Sequence, residues 1–226
     1  TNYRDLATEF SLVFDLDGTL IDSAPDLQAA VNTVLSSHGL RRISMEETQA
    51  FIGDGMPKLC EGALEATGGP EEILQVFYDA FKKWYMSAPV VKTKPMIAVR
   101  ETLITAKGEA FAMGVCTNKS EPVAEVILTE LQLKPFFSDF IGAMPGRALK
   151  PDPEPLLLCA ERIGTGDRRA VLIGDSIADV KAARNAHMPC ILVRGGYTNT
   201  APELLGADVV IDSFDHLFTA LEQLAA

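Results

Sequence analysis

Two carboxylates, a glycine and a hydroxyl close the apolar run Phe10-Ser11-Leu12-Val13-Phe14, in the string Asp15-Leu16-Asp17-Gly18-Thr19. Acids this close repel by about 4 kcal/mol at roughly 4 Å and an effective dielectric near 20. They stay together only if one keeps a proton or a cation sits between them. Such a pair suits nucleophilic attack, general acid–base work or the binding of a hard metal ion. Asp-Gly also makes a tight hairpin turn. That reading needs a second alternating strand after Gly18, and the chain instead offers Ser23-Ala24-Pro25-Asp26, a helix start.

Three further polar clusters follow apolar runs. The first is Thr117-Asn118-Lys119-Ser120, after Val115-Cys116. Its hydroxyl and N–H groups suit a phosphate oxygen, although taken alone it reads first as a helix cap at Asn118 or Ser120. The second is Lys150-Pro151-Asp152-Pro153-Glu154-Pro155. Its prolines stiffen the chain and aim Lys150, and a rigid surface turn is an equal reading. The third is Gly174-Asp175-Ser176-Ile177-Ala178-Asp179, where Asp175 ends a short apolar strand and Asp179 lies one helical turn on. Asp175 can cap that helix, but oxygen ligands gathered beside Asp15 and Asp17 suit Mg²⁺ better. Together the clusters specify phosphoryl transfer. Asp15 is the expected nucleophile and Asp17 the acid and base. Thr117 holds the phosphoryl group, while Lys150 and Mg²⁺ suppress the repulsion between anions. The candidate metal set is Asp15, Asp17, Asp175 and Asp179. Gly18, Thr19 and Asn118 join Thr117 and Lys150 as candidate phosphate contacts.

The elements that must position these groups are short buried strands alternating with helices. Runs at 10–15, 110–116, 140–142, 171–173, 190–193 and 209–211 read as strands. Helical stretches at 95–107, 121–132, 153–163, 177–186 and 214–224 lie among them. The expected fold is α/β: a Rossmann-like parallel sheet with helices on both faces, its ligand crevice beyond the carboxyl ends of the strands. Residues 24–88 read as wholly helical. One face carries Leu27, Val31, Val34 and Leu35, and Gly39 closes that helix. Ser44-Met45-Glu46-Glu47 is a capping box, and Gly53-Asp54-Gly55-Met56-Pro57 is a break. Ile73, Phe77, Phe81 and Trp84 form an apolar stripe expected in the core. The expected division is a core of 1–21 and 89–226 with a helical cap of 22–88. Gly53, Asp54, Gly55 and Lys58 lie in or beside the break facing the site. Lys58 or Arg147 is the expected contact for a substrate anion, with a solvated surface charge the alternative for each.

The 226 residues are 47% hydrophobic and 23% charged, ordinary for a globular protein, with a formal net charge of −11. That acidity disfavours nucleic acid and anionic membranes as partners. An anionic substrate must therefore meet a local positive centre. Cys60, Cys116, Cys159 and Cys190 show no paired spacing and read as reduced thiols. No run reaches membrane-spanning length and no signal-peptide core is evident, so a cytoplasmic monomer or homodimer is expected.

The ordered set Asp15-Leu16-Asp17-Gly18-Thr19, Thr117-Asn118, Lys150-Pro151 and Gly174-Asp175-Ser176-Ile177-Ala178-Asp179 resembles the haloacid dehalogenase superfamily over nearly the whole chain. The resemblance implies an α-helical cap after the first motif. It implies that Asp15, the Asp17 main-chain carbonyl and Asp175 ligate Mg²⁺, with Asp179 in support. The second acid, Asp17, implies phosphatase or phosphomutase chemistry. The strings Asp15 to Leu27, Phe51 to Gly55 and Lys150 to Leu156 are most similar to the phosphoglycolate phosphatases, implying 2-phosphoglycolate as substrate. A β-phosphoglucomutase-like isomerase, or a phosphatase for sugar phosphates or pyrophosphate, is the alternative. Gly195-Gly196-Tyr197-Thr198 resembles the Gly-Tyr loop of that group only in part.

Overall fold

The computed structural model describes residues 2–226. The chain opens with a helix that sequence reasoning missed, α1 (Tyr3–Glu9), capped by the Asn2 side chain, which accepts the Arg4 N–H. It buries only Leu6 and Ala7, too little to hold a helix of two turns alone. Tyr3 secures it by stacking on Phe218 at 4.3 Å between ring centroids. β1 (Phe10–Phe14) follows, buried at every position, and then a short strand, β2 (Ile21–Asp22).

Next come α2 (Ala24–Ser37), α3 (Met45–Ala50), α4 (Met56–Thr67) and α5 (Leu74–Ser87). Gly39 turns the chain after α2 at φ +69°, and the Ser44–Glu47 capping box opens α3, both as the sequence indicates. Gly53 and Gly55, at φ +126° and +91°, form the break before α4. On α5, Phe77 and Phe81 are buried, but the stripe continues inward through Tyr85, not Trp84, which is exposed. The step from 81 to 85 keeps one face, whereas position 84 sits at its edge.

The rest alternates: β3 (Lys94–Pro95), α6 (Val99–Gly108), β4 (Met113–Ser120), α7 (Glu121–Glu130), β5 (Asp139–Ala143), α8 (Glu154–Arg162), β6 (Arg169–Gly174), α9 (Ile177–Asn185), β7 (Cys190–Val193), β8 (Val209–Ile211) and α10 (Leu217–Ala225). β2 and β3 pair antiparallel where the chain enters and leaves the helical block. The Asp26 carboxylate ties the same two crossings, accepting N–H groups of Val91, Lys92 and Thr93 and the Thr93 hydroxyl. Burial alone would raise Asp26, but those donors win and hold it below its ordinary value.

The main sheet is parallel, in the order β5-β4-β1-β6-β7-β8. β1 lies inside it, Leu12 pairing with Met113 on one side and Val171 on the other. Alternate residues feed two cores: Leu12, Phe14, Val115 and Ile173 on one face, Val13, Cys116, Leu172 and Ile141 on the other. The fold is the Rossmann-like α/β class that the alternation implies. Its halves wind outward from β1, so the switch point lies at the carboxyl ends of β1 and β6. β4 differs from expectation: it runs on past Cys116 to Ser120, with every residue through Lys119 buried. The four cysteines are free and buried. Among the described residues no helix is long and apolar enough to cross a membrane.

Candidate active site

Asp15 leaves the end of β1 with its N–H bonded to the Ile173 carbonyl of β6 at 2.8 Å. The chain then curls back on itself. The N–H groups of Leu20 and Ile21 turn to the Leu16 carbonyl, and Gly18 N–H donates to Ile21. Gly18 is required here: at φ +84°, a Cβ would stand 2.5 Å from Asp175 Oδ2. Thr19 donates its hydroxyl to Asp175 Oδ1 at 2.8 Å. Gly18 and Thr19, expected as phosphate contacts, shape and hold the Asp175 carboxylate.

At the end of β6 the second acidic group is set by a capping box. Ser176 and Asp179 exchange hydrogen bonds, so Asp179 Oδ2 accepts from Ser176 N and Oγ and from Asp175 N. Only glycine fits at 174, where a Cβ would lie 2.5 Å from the Asp179 carboxylate carbon. The remaining Asp179 oxygen, Oδ1, accepts from Lys150 Nζ at 2.6 Å, and Lys150 also donates to Asp15 Oδ1 at 2.7 Å. Asn118 fixes the Lys150 backbone. Its Oδ1 accepts Lys150 N–H, and its Nδ2 donates to the Lys150 and Gly53 carbonyls, so one amide spans the core and the break before α4.

One oxygen from each of Asp15, Asp175 and Asp179 lies within 4.8 Å of the others, all three residues buried. Burial raises Asp15 well above its ordinary value; Lys150 offsets part of this, and Asp179 and Asp175 add to it. Burial and then Asp179 push Asp175 up to about 7, against the Tyr197 N–H and the Thr19 hydroxyl. Asp179 is held below its ordinary value, because Lys150 and Ser176 overcome its burial. A carboxylate cluster with these shifts, rich in hard oxygen donors, fits a divalent cation, which would let Asp15 and Asp175 ionise together.

The Asp17 side chain lies outside that cluster, and the expected metal ligand at this position is its main-chain carbonyl. The side chain accepts from Ser23 Oγ and from Lys119 Nζ at 2.9 and 3.1 Å. Burial works against the Lys119 charge, but Asp17 overrides this and holds its pKa above the ordinary lysine value. Thr117 sits beside Asp15 and accepts the Lys119 N–H at 3.1 Å, leaving its own proton to give. Asp15, Asp17, Thr117, Asn118 and Lys119 line one wall of a narrow cavity of about 30 Å³; Leu27, Ile52, Met56 and Leu59 line the other, with Gly53 and Gly55 between them.

Three expected substrate contacts lie elsewhere. Lys58 is exposed and paired with Glu61 at 2.6 Å, because the inward face of α4 belongs to Met56, Leu59, Cys60 and Ala63. Asp54 is exposed. Arg147 pairs with Glu121 and donates to the Gly142 carbonyl at 2.7 Å. Conversely, sequence reasoning missed Lys119, Ser23 and Tyr197. The Tyr197 N–H donates to Asp175 Oδ2 at 2.7 Å, and its hydroxyl accepts from Ser23 N and Ala24 N and donates to Asp22 Oδ1. The tyrosine therefore caps α2, freeing the Ser23 hydroxyl for Asp17. For Lys119 a signal was present: on a strand, 117 and 119 face the same way.

The sequence model of the haloacid dehalogenase-like hydrolases matches residues 12–193. A phosphoglycolate phosphatase of Caulobacter vibrioides is 37% identical over 206 residues, covering 90% of this chain and 87% of the relative. One of Agrobacterium fabrum is 34% identical over 211 residues, covering 92% and 91%. A crystal structure of a predicted phosphoglycolate phosphatase from Haemophilus somnus 129pt superposes with a TM-score of 0.87 at 26% identity, covering 94% of this chain and 98% of that one.

Proposed function

The chain belongs to the haloacid dehalogenase-like hydrolase family, and on that premise we propose a Mg²⁺-dependent phosphatase that hydrolyses the monoester 2-phosphoglycolate to glycolate and phosphate. The observation that carries this reading is the Lys150 ammonium, shared between Asp15 and Asp179 at 2.7 and 2.6 Å. It sets a fixed positive charge beside Asp15, which favours the anion and offsets part of the cost of its burial.

Asp15 attacks phosphorus, the bond from phosphorus to the ester oxygen breaks, and an aspartyl-phosphate forms. Asp17 gives a proton to the departing glycolate oxygen. It then takes one from the water that attacks the aspartyl-phosphate, so Asp15 is restored and inorganic phosphate leaves. The Thr117 hydroxyl donates to a phosphoryl oxygen, and Lys150 neutralises developing charge. Asp15, Asp175 and the Asp17 main-chain carbonyl would hold Mg²⁺, with Asp179 fixing Lys150 beside them. When bound, the ion supplies the positive charge that lets an anionic nucleophile approach an anionic ester.

Residues 22–88 act as a cap over a core of 1–21 and 89–226, excluding water from the reacting groups. The leaving group lies in the cavity at their junction, against Leu27, Ile52, Met56 and Leu59. The test is phosphate release from 2-phosphoglycolate, a sugar 1-phosphate and pyrophosphate. Fastest release from 2-phosphoglycolate is expected. Conversion of the sugar 1-phosphate to its 6-phosphate with little free phosphate would replace the reading with a mutase.

A further inference from the structure

The cavity under α2 and α4 contains a cation that phosphoryl transfer leaves partly unused. Lys119 is 3% exposed, and its ammonium carries three protons. Two are taken by Asp17, at 2.9 and 3.1 Å. The other polar side chain that the ammonium interacts with is the Tyr85 hydroxyl. Tyr85, on α5, is fully buried, its ring centroid 5.1 Å from Lys119 Nζ. The Tyr85 hydroxyl interacts with Lys119 and feels the charge of Asp17, yet among the described residues it makes no hydrogen bond of ordinary length. Leaving such a group unpaired is costly, so it calls for an explanation. Burial raises the phenol, which keeps its proton and remains a donor.

A buried ammonium and a phenol that makes no hydrogen bond of ordinary length thus lie together beside Asp17, in a chain whose net charge is −11. Lys150, the other buried lysine at the site, already serves Asp15 and Asp179. Neither sequence candidate for an anion contact, Lys58 or Arg147, lines the cavity. We infer that Lys119, which lines the cavity with Tyr85 packed behind its ammonium as a positioning residue, is the specificity-determining residue: it binds the carboxylate of a short phosphate ester whose phosphoryl group lies at Asp15. The inference rests on the phosphatase reading above and names the group that tells 2-phosphoglycolate from an uncharged ester of equal size. A site built to pair a charged group rejects the analogue lacking it, because its buried donors are then left unmatched.

The experiment compares kcat/KM for 2-phosphoglycolate and for ethyl phosphate, which has a methyl in place of the carboxylate. The wild type should prefer 2-phosphoglycolate by about 100-fold. In Lys119→Met, which keeps the length of the stem, that preference should collapse to near unity. Any harm done through Asp17 affects both esters and cancels in the ratio. Tyr85→Phe removes a hydroxyl that makes no hydrogen bond of ordinary length, so its melting temperature should hold or rise, while the preference falls about 10-fold. It also serves if the lysine variant does not fold. A preference that survives both substitutions overturns the role of Lys119 and leaves the substrate reading standing. A wild type with no preference for 2-phosphoglycolate overturns the substrate reading, and the inference with it.

Discussion

Replacing Tyr197 with Phe deletes one oxygen and leaves the main-chain contact to Asp175 in place. That oxygen accepts N–H groups of Ser23 at 2.8 Å and Ala24 at 3.0 Å, and donates to Asp22 Oδ1 at 2.8 Å. Ser23 and Ala24 are fully buried, so their N–H groups have no water to turn to, whereas half-buried Asp22 does. An unpaired buried donor costs about 1–3 kcal/mol, so two of them, with some relaxation, cost about 2–4 kcal/mol. In a chain of this length each kcal/mol moves the melting temperature by about 2–4 °C, which sets the expected fall at about 5–10 °C. Turnover should fall about 10-fold, because the Ser23 hydroxyl that steadies Asp17 moves with the start of α2. Mg²⁺ affinity should not change, because the Tyr197 N–H still serves Asp175. Scanning fluorimetry, steady-state kinetics and calorimetric Mg²⁺ titration read the three effects separately. A melting temperature within about 1 °C of the wild type refutes the capping role. A Mg²⁺ affinity that drops in step with kcat refutes the separation of cap start from metal site.

Asp15→Asn should abolish phosphate release while circular dichroism stays native, since the amide is a poor nucleophile at the same place. Lys150→Met removes the partner of two buried carboxylates; about 3–5 kcal/mol of stability should go in urea unfolding, and turnover should drop at least about 100-fold. EDTA should stop turnover and Mg²⁺ restore it, and the metal-free protein should have a distinctive melt. Asp175 sits at about 7 against an ordinary 3.8, so the folded state binds more protons between those values. Its contribution to stability therefore falls as pH rises from about 4 to about 7. Asp26 and Asp179 are lowered and have the opposite sign, but they act only below about 4. Melting temperatures of metal-free protein should decline across that window and flatten with saturating Mg²⁺; a metal-independent rise would contradict this.

The clustered carboxylates Asp15 and Asp175 were legible because each ends a short apolar strand close to a glycine, a pattern written in consecutive residues. Asp15 and Asp175 meet as expected because their strands are neighbours in the sheet. Lys119 was not read because the apolar signal stops at Cys116 while the strand continues; it resumes pairing with β5 at Ser120, opposite Ala143, after a shift in register. Tyr197 was beyond reach for another reason: its hydroxyl partners lie some 175 residues earlier, and no local pattern announces such a contact. For Lys58 the structure agrees with the second of its two readings, a solvated surface charge, and that orientation was legible. The apolar positions 56, 59, 60 and 63 define the inward face of α4 and leave 58 outside. α1 escaped because its stability comes from docking on α10, not from its own periodicity.

The central claim is that a side-chain carboxylate at the end of β1 becomes phosphorylated during turnover. Asp17→Asn should slow hydrolysis of that species, and acetyl phosphate, whose leaving group needs no acid, should still form it. With Mg²⁺ present, the variant should accumulate close to one phosphoryl group per chain, mapped by mass spectrometry to the peptide carrying Asp15. Phosphate release without any labelled enzyme, or a label on another residue, would contradict the account.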